Sequence, residues 1–127
     1  MATTKITLLV VDDDQDVLGA LRTKLERTGR YHVFTAGGGQ EALRHVRERR
    51  PDLIVCDIDM PDMDGGELAA TLREDKATSA LPLVFLSGLV SPQDSARGNV
   101  GGWPMLSKQS QIQQLVGKID ELLAKAR

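Results

Sequence analysis

The sequence has few of the features that mark disulfide-stabilised, membrane or nucleic-acid-binding proteins. It contains one cysteine and 3% aromatic residues, which excludes an intrachain disulfide and a cysteine-rich metal site and leaves no stacking surface for bases. A formal net charge of -2 lacks the basic excess of a surface that binds nucleic acid or anionic lipid. The N-terminal apolar run is too short for a signal-peptide core or a membrane span. We therefore expect a cytoplasmic protein without direct nucleic-acid or membrane partners.

The remaining composition is that of an ordinary globular domain. Hydrophobic residues make up 41% and charged residues 27% of the 127 residues, and there is no low-complexity tract. A chain of this length buries roughly two-thirds of its unfolded surface, usually in one core. We predict a single domain over residues 1–127.

Short apolar runs alternate with helical periodicities along the chain. The runs rich in Val, Ile and Leu are typical of strands buried on both faces, and they are Ile6 to Val11, Leu53 to Cys56 and Leu81 to Leu86. Tyr31 to Thr35 and a strand ending at Leu106-Ser107-Lys108 complete a set of five. Strands that alternate with helices predict an α/β, doubly wound five-stranded parallel sheet of flavodoxin type, in the order 2-1-3-4-5, with helices on both faces.

Two helical segments near the C-terminus carry contrasting signals. The segment from Ser91 to Asn99 is short and runs into glycines that disfavour a helix interior, so we expect it to be mobile or irregular. The last segment has apolar residues on one stripe and begins with Ser110 and Gln113 at the spacing of a capping box. It is the clearest helix of the sequence.

Acidic residues follow the first and third predicted strands. Asp12 and Asp13 come after the first strand and Asp57 directly after the third. Since ligands bind beyond the carboxyl ends of parallel strands, these carboxylates should converge, where a pair at about 4 Å repels by about 1 to 4 kcal/mol. A hard divalent cation relieves that repulsion, and Mg²⁺ suits a site that shares carboxylates with phosphate oxygens.

Two further side chains at the strand ends complete a site for a phosphoryl group. Ser87 closes the fourth strand and offers a hydroxyl donor, and Lys108 closes the fifth and offers a positive charge. The set predicts that the Asp57 carboxylate attacks phosphorus and becomes a covalent acceptor, with the metal and Lys108 neutralising charge on the phosphoryl oxygens.

Simpler interpretations explain some of these residues but not all. Asp14 is expected to cap the first helix, and an isolated acidic cluster there would usually do no more. Asp57 follows four apolar residues and would carry a desolvation penalty unless a cation or donors met it. Cys56 is expected to be a buried, unreactive thiol. The acidic run after Asp57 is no EF-hand, because Met60 stands where a calcium ligand is required.

The order and spacing of these motifs resemble those of the receiver domains of two-component response regulators, over the whole chain. The matching segments are Val10-Val11-Asp12-Asp13-Asp14, Asp57, Met60-Pro61-Asp62-Met63-Asp64-Gly65, Ser87-Gly88 and Lys108. The resemblance implies that Asp57 is the phosphoacceptor, Ser87 the switch hydroxyl and Lys108 the lysine that contacts the phosphoryl group. It also implies that Asp12, Asp13, Asp57 and the backbone carbonyl of Asp59 bind Mg²⁺.

A receiver domain is a regulator and not an enzyme, apart from self-catalysed phosphoryl transfer and hydrolysis of its aspartyl phosphate. The resemblance implies a sensor histidine kinase or histidine phosphotransfer protein as phosphodonor and an unidentified protein as downstream target. Asp57-Ile58-Asp59 also resembles the nucleophile motif of haloacid-dehalogenase-type phosphatases. In those enzymes, however, the nucleophile follows the first strand.

Two residues depart from the family pattern. Gln109 follows the site lysine, where the family usually has proline and a cis bond, so we expect either a trans bond with a rerouted loop or a strained cis bond. Met105 stands three residues before the lysine, where an aromatic residue is common. The alternative function is therefore a receiver-like interaction module that works without phosphorylation.

Overall fold

In a computed structural model, residues 5–58, 60–88, 99–100 and 103–126 are described. Strands and helices alternate along the chain, as the sequence predicts. The strands are β1 (Ile6–Val11), β2 (Tyr31–Ala36), β3 (Leu53–Asp57), β4 (Leu83–Ser87), β5 (Asn99–Val100) and β6 (Trp103–Ser107). The helices are α1 (Gln15–Glu26), α2 (Gly39–Arg49), α3 (Gly65–Glu74) and α4 (Ile112–Ala126).

The strands form one sheet in the order β2-β1-β3-β4-β6-β5. Every pair from β2 to β6 is parallel, so the predicted five-stranded parallel sheet in the order 2-1-3-4-5 is confirmed. The sequence did not predict β5, which adds a two-residue antiparallel strand outside β6. Two residues are too few for a periodic pattern. Pro104 lies in β6, near the margin of the sheet, where proline is tolerated.

The strand residues alternate between two hydrophobic clusters. Leu8 and Val10 of β1 belong to one cluster, which packs against α1 and α4. Leu9 and Val11 belong to the other, which packs against α2 and α3. Because both faces of the sheet are covered, the central strands β3 and β4 are apolar up to their last residues, Asp57 and Ser87. The predicted helices on both faces are confirmed.

The helix α4 begins differently from the prediction. Ser110 belongs to the turn after β6, because its N–H donates to the carbonyl of Ser107 at 3.0 Å. The helix starts at Ile112, one residue later than the predicted capping box requires. The N–H of Gln111, the residue before it, donates to Oε1 of Gln114 at 3.1 Å. The Ser110 hydroxyl has no hydrogen-bond partner among the described residues. The predicted capping box of Ser110 and Gln113 is therefore wrong, and half of such a box forms one position further on.

The segment expected to be irregular falls almost wholly outside the described residues. Of the stretch from Ser91 to Asn99, the structure describes Asn99 alone, in β5. Among the described helices, none combines the length and apolar character that crossing a bilayer requires.

Candidate functional site

Three carboxylates meet at the carboxyl edge of the sheet. Asp57 ends β3 and Asp12 follows β1, and these adjacent strands pair with Val11 opposite Cys56. Asp12 and Asp57 are 2% and 6% exposed, whereas Asp13 is exposed. One oxygen from each of Asp12, Asp13 and Asp57 lies within 4.8 Å of the others. The convergence predicted from the strand order is present in the structure.

Lys108 lies between the two buried carboxylates. Its Nζ is 2.8 Å from Oδ2 of Asp12 and 3.3 Å from Oδ1 of Asp57. Burial lowers the pKa of Lys108, but the hydrogen bonds and negative charges of Asp12 and Asp57 outweigh it, so that the pKa is raised overall. Its backbone N–H donates to the carbonyl of Ser87 at 2.9 Å, which anchors the lysine to the end of β4. Lys108 is therefore a cation held at the acidic edge.

Ser87 lies at the same edge on the strand next to β3. The residue paired with Asp57 is Leu86, so Ser87 is one position nearer the carboxyl end. Ser87 is 6% exposed. The predicted group of Asp12, Asp13, Asp57, Ser87 and Lys108 is thus placed at one end of the sheet. Asp59, the remaining predicted metal ligand, lies outside the described residues.

The three acidic residues after β1 have two roles: one caps the helix α1, and two belong to the carboxylate site. Asp14 is the N-cap of α1, and its carboxylate accepts from the N–H groups of Asp16 at 2.9 Å and Val17 at 3.3 Å. Asp12 accepts from the Asp14 N–H at 3.0 Å, which fixes its carboxylate against the turn. The predicted capping role of Asp14 is confirmed, and Asp12 and Asp13 are left facing the site.

The peptide bond after Lys108 is trans, since the described residues include no cis peptide bond. Unlike proline, Gln109 carries an N–H, and it donates this to the hydroxyl of buried Ser107 at 3.1 Å. The hydrogen bond from Ser110 to the Ser107 carbonyl closes the turn. Of the two bonds expected at Gln109, the structure has the trans bond.

Trp103 lies beside the position where the family commonly has an aromatic residue. Trp103 and Met105 are partly buried against the same cluster, as a two-residue strand period requires. The indole packs edge-on against Phe85 with ring centroids 6.3 Å apart, and the Arg73 guanidinium lies 4.0 Å from its centroid. β6 begins at Trp103, so the Trp103 and Met105 side chains lie on the same face of the strand.

The loop between β3 and α3 contains a contact that the sequence did not reveal. Both carboxylate oxygens of Asp62 accept hydrogen bonds from the start of α2, at Gly39 and Gln40. The N-cap of α2 is Gly38, which has no side chain to cap the helix. The run of glycines at residues 37–39 has no side chain that could cap α2, and it is the sequence signal that a residue from elsewhere supplies the cap.

Cys56 is a buried thiol directly under the site, as predicted. Burial is the main reason that the pKa of Cys56 is raised, and the charges of Asp57 and Asp12 raise it further. We expect iodoacetamide to modify Cys56 about 1,000-fold more slowly in the folded protein than in guanidinium chloride, since the thiolate is the reactive form. Mass spectrometry of timed samples measures both rates. Rapid modification under native conditions would contradict this assignment.

Comparison with known proteins assigns the fold and site to a family. The family model of the response regulator receiver domain matches residues 8–120. The chain belongs to this family. A receiver domain acts in two-component signalling, and membership therefore favours a phosphoacceptor over an interaction module that works without phosphorylation.

Receiver-domain relatives are found among curated proteins and solved structures. The chain is 40% identical over 117 residues to the transcriptional regulatory protein PrrA of Mycobacterium tuberculosis, covering 91% of this chain and 49% of PrrA. It is 32% identical to the alkaline phosphatase synthesis transcriptional regulatory protein PhoP of Bacillus subtilis, covering 94% of this chain and 49% of PhoP. The chain thus spans about half the length of these relatives.

The solved structures agree with the observed topology. A putative response regulator from Chloroflexus aurantiacus superposes with a TM-score of 0.83 at 33% identity, covering 95% of this chain and 99% of that one. The chemotaxis response regulator CheY4 of Vibrio cholerae superposes with a TM-score of 0.79 at 28% identity, covering 94% and 99%. The flavodoxin-like receiver fold is therefore established for this chain.

Proposed function

We propose that Asp57 accepts a phosphoryl group from a phosphohistidine, with Mg²⁺ bound by the carboxylates of Asp12, Asp13 and Asp57. The observation that carries this proposal is the meeting of three carboxylates with one lysine at the end of a parallel sheet. The phosphodonor is a sensor histidine kinase or a histidine phosphotransfer protein, the class of partner from which response regulators receive phosphate. Asp57 lies at the centre of this group, between Asp12 and Ser87 on the neighbouring strands.

The donor set fits Mg²⁺. All three side chains offer carboxylate oxygens, the hard ligands that this ion prefers, and Asp13 is exposed, so water can complete the coordination. Carboxylates this close repel one another, and a dication bound between them relieves that repulsion. When bound, Mg²⁺ neutralises charge on the carboxylates and on the phosphoryl oxygens. The backbone carbonyl of Asp59 is the further protein ligand that we propose.

The residues of the chain perform the transfer by positioning and charge. An oxygen of Asp57 forms a bond to phosphorus while the bond from phosphorus to the donor imidazole nitrogen breaks, and the imidazole keeps the electron pair. Lys108 already lies 3.3 Å from Oδ1 of Asp57 and can move onto a phosphoryl oxygen. The Ser87 hydroxyl donates to a second oxygen. These contacts stabilise the charge that spreads over the transferring group.

The same site reverses the modification. Attack by water on phosphorus breaks the bond to the Asp57 oxygen and releases inorganic phosphate, which returns the carboxylate to its starting state. We propose that this self-catalysed hydrolysis, together with the transfer, is the only chemistry of the domain. The protein is thereby a regulator whose signal has a finite lifetime.

The output of the domain passes through protein contacts. We propose that residues 1–127 act as one receiver domain in the cytoplasm and change their contacts with a downstream protein when Asp57 is phosphorylated. The relatives PrrA and PhoP are named as transcriptional regulatory proteins, and the chain spans about half of their length. The net charge of -2 gives the chain no basic excess for nucleic acid, so we do not propose that it binds DNA directly.

Labelling by acetyl phosphate tests the proposal. The wild-type chain should gain one phosphoryl group in Mg²⁺, seen by intact-mass spectrometry, and should gain none in EDTA. Asp57→Asn should abolish labelling because the nucleophilic oxygen is replaced by an amide. Asp16→Asn, which changes an exposed acid in the first turn of α1, is the matched control and should label normally. Labelling that persists in Asp57→Asn, or a folded wild-type chain that never labels, would refute the proposal.

A further inference from the structure

The first turn of α2 obtains its cap from a distant part of the chain. Oδ1 of Asp62 accepts from the Gly39 N–H at 3.1 Å, and Oδ2 accepts from the Gln40 N–H at 3.2 Å. The first N–H groups of a helix have no partner within the helix, and Gly38 at the N-cap cannot supply one. The hydrogen bonds from Gln40 and Gly39 also hold the pKa of the Asp62 carboxyl below its ordinary value. Asp62 is therefore an ionised cap that joins two separate loops.

The glycines of the turn allow the β3–α3 loop to come this close. A Cβ on Gly38 would lie 2.7 Å from Oδ1 of Asp62, and one on Gly39 would lie 2.7 Å from Cβ of Met63. Real Cβ atoms essentially never show such contacts. A larger residue at either position would push the β3–α3 loop away from α2.

The same turn also borders the loop after β1. A Cβ on Gly37 would lie 3.3 Å from Nε2 of Gln15, the first residue of α1. The Asp12 N–H donates to the carbonyl of Ala36, which directly precedes the turn, at 3.1 Å. The turn at residues 37–39 thus lies between the segment that carries Asp12 and the loop that follows Asp57. The position of this turn therefore affects the distance between the Asp12 segment and the loop after Asp57.

The β3–α3 loop is held by the burial of Met60 in the cluster against α2 and α3, and by hydrogen bonds at its base and on its far side. At its base, the Gly65 N–H donates to the carbonyl of Ile58 at 2.7 Å, which brings the ends of the loop together. On its far side, the contacts of Asp62 with α2 hold the loop beside the turn. Without the contacts of Asp62, the loop keeps its base hydrogen bond and the buried Met60, but the part that faces α2 loses both of its hydrogen bonds to that helix.

We propose that Asp62 is a positioning residue for the metal site, which sets the spacing between the carboxylates on the β1 and β3 sides by fastening the β3–α3 loop to α2. This inference rests on the proposed binding of Mg²⁺ by Asp12, Asp13 and Asp57. Asp62 itself does not belong to that cluster and binds no metal in this scheme. Its effect reaches the site through the backbone of the loop.

Two variants separate positioning from helix stability. Asp62→Ala removes the cap of α2 and, with it, the hydrogen bonds that join the β3–α3 loop to α2. The double variant Gly38→Asn, Asp62→Ala supplies a cap within the helix itself, in space that the missing carboxylate leaves, but does not restore the fastening. Gly38 has an extended backbone with φ of -175°, which asparagine adopts without strain.

The test combines Mg²⁺ affinity from titration calorimetry with the midpoint of thermal unfolding in EDTA. Asp62→Ala should weaken Mg²⁺ binding about tenfold, the lower end of the loss seen when residues outside the ligand shell are removed, and should lower the midpoint by a few degrees. The double variant should regain the midpoint but keep the loss of affinity. Recovery of affinity together with the midpoint would overturn the proposal, as would an unchanged affinity in Asp62→Ala.

Asp62→Ala also removes a negative charge, which by itself could weaken Mg²⁺ binding. The salt dependence of the affinity separates this electrostatic effect from the positioning effect. Asp62 is exposed, so a purely electrostatic contribution should disappear at about 1 M salt, where the Debye length is about 3 Å. We expect the ratio of wild-type to Asp62→Ala affinity to persist in salt, and a ratio that falls to one would overturn the positioning role. A wild-type chain that binds no Mg²⁺ would instead refute the proposed function.

Discussion

Lys108→Met should slow the labelling of Asp57 by acetyl phosphate about 100-fold or more in saturating Mg²⁺. Lys108 Nζ is 3.3 Å from Oδ1 of Asp57 and is the charged donor nearest to the attacking oxygen among the described residues. Removing one donor that meets developing charge on a transferring group typically costs about 100- to 1,000-fold in rate. Methionine retains most of the length of the side chain and removes the charge. The measurement is the time course of the phosphorylated mass.

The same variant should change stability and metal affinity in opposite directions. Without Mg²⁺, the substitution takes the positive charge of Lys108 away from the buried carboxylates of Asp12 and Asp57. We expect a loss of about 2 kcal/mol in the free energy of unfolding, less than the usual range of about 3 to 5 because the Lys108 side chain is 25% exposed. Mg²⁺ should bind more tightly than to the wild type, since it no longer competes with the lysine for the carboxylates.

The pH dependence of this stabilisation follows from the raised pKa of Lys108. A group whose pKa is higher in the folded than in the unfolded state contributes fully below its unfolded pKa, here 10.5, and loses the contribution as pH rises through the folded value. The stability difference between wild type and Lys108→Met should therefore be constant through neutral pH and shrink only in strong alkali.

Lys125→Met is the matched control for Lys108. Lys125 lies on α4, its side chain is 72% exposed, and it pairs with Glu121 at 3.3 Å. An exposed pair of this kind contributes little, so the control should label at the wild-type rate and lose less than about 0.5 kcal/mol. If Lys108→Met labels as fast as the control, Lys108 does not act on the phosphoryl group.

Gly65→Ala should destabilise the protein by about 2 to 3 kcal/mol and slow the labelling of Asp57. A Cβ on Gly65 would lie 2.7 Å from the carbonyl oxygen of Asp57 and 2.7 Å from Cε1 of Phe85. Phe85 is fully buried, so neither neighbour can move without displacing the core, and overpacking of this kind costs about 1 to 3 kcal/mol. Displacement of the Asp57 backbone also moves its carboxylate. Urea denaturation and the labelling time course measure the two effects.

A second glycine provides the contrast. Gly117 is an exposed residue of α4, and no atom lies within 4 Å of a Cβ added there. Gly117→Ala should stabilise the protein by about 0.5 to 1 kcal/mol, because alanine has the higher helix propensity. Labelling should not change. If the two substitutions shift stability in the same direction, the close approach at Gly65 does not control the outcome.

Much of the fold was predictable because burial on both faces leaves a strong pattern in the sequence. Parallel strands covered by helices are built mainly of apolar residues, and β1 and β3 stand out for that reason. The strand order then placed Asp12, Asp13 and Asp57 at one edge. The residue types and their positions were enough to predict a phosphoryl site, and the family match supports it.

The features that were missed depend on contacts between distant segments. The capping of α2 by Asp62 joins residues 22 and 23 apart in sequence, so no local pattern could reveal it. The start of α4 was misplaced because Ser110 closes the turn after β6, and two competing local hydrogen bonds decided the boundary. The outcome at Gln109 likewise depended on Ser107 being placed to accept its N–H.

The outer margin of the sheet at β6 limits how another polypeptide can attach there. An unpaired strand normally offers a row of main-chain donors and acceptors that can recruit a further strand. Here Asn99 and Val100 already pair with Pro104 and Trp103, and proline has no N–H to offer. At Trp103 and Pro104, therefore, another protein cannot add a strand directly to β6 and would have to pair elsewhere or recognise side chains.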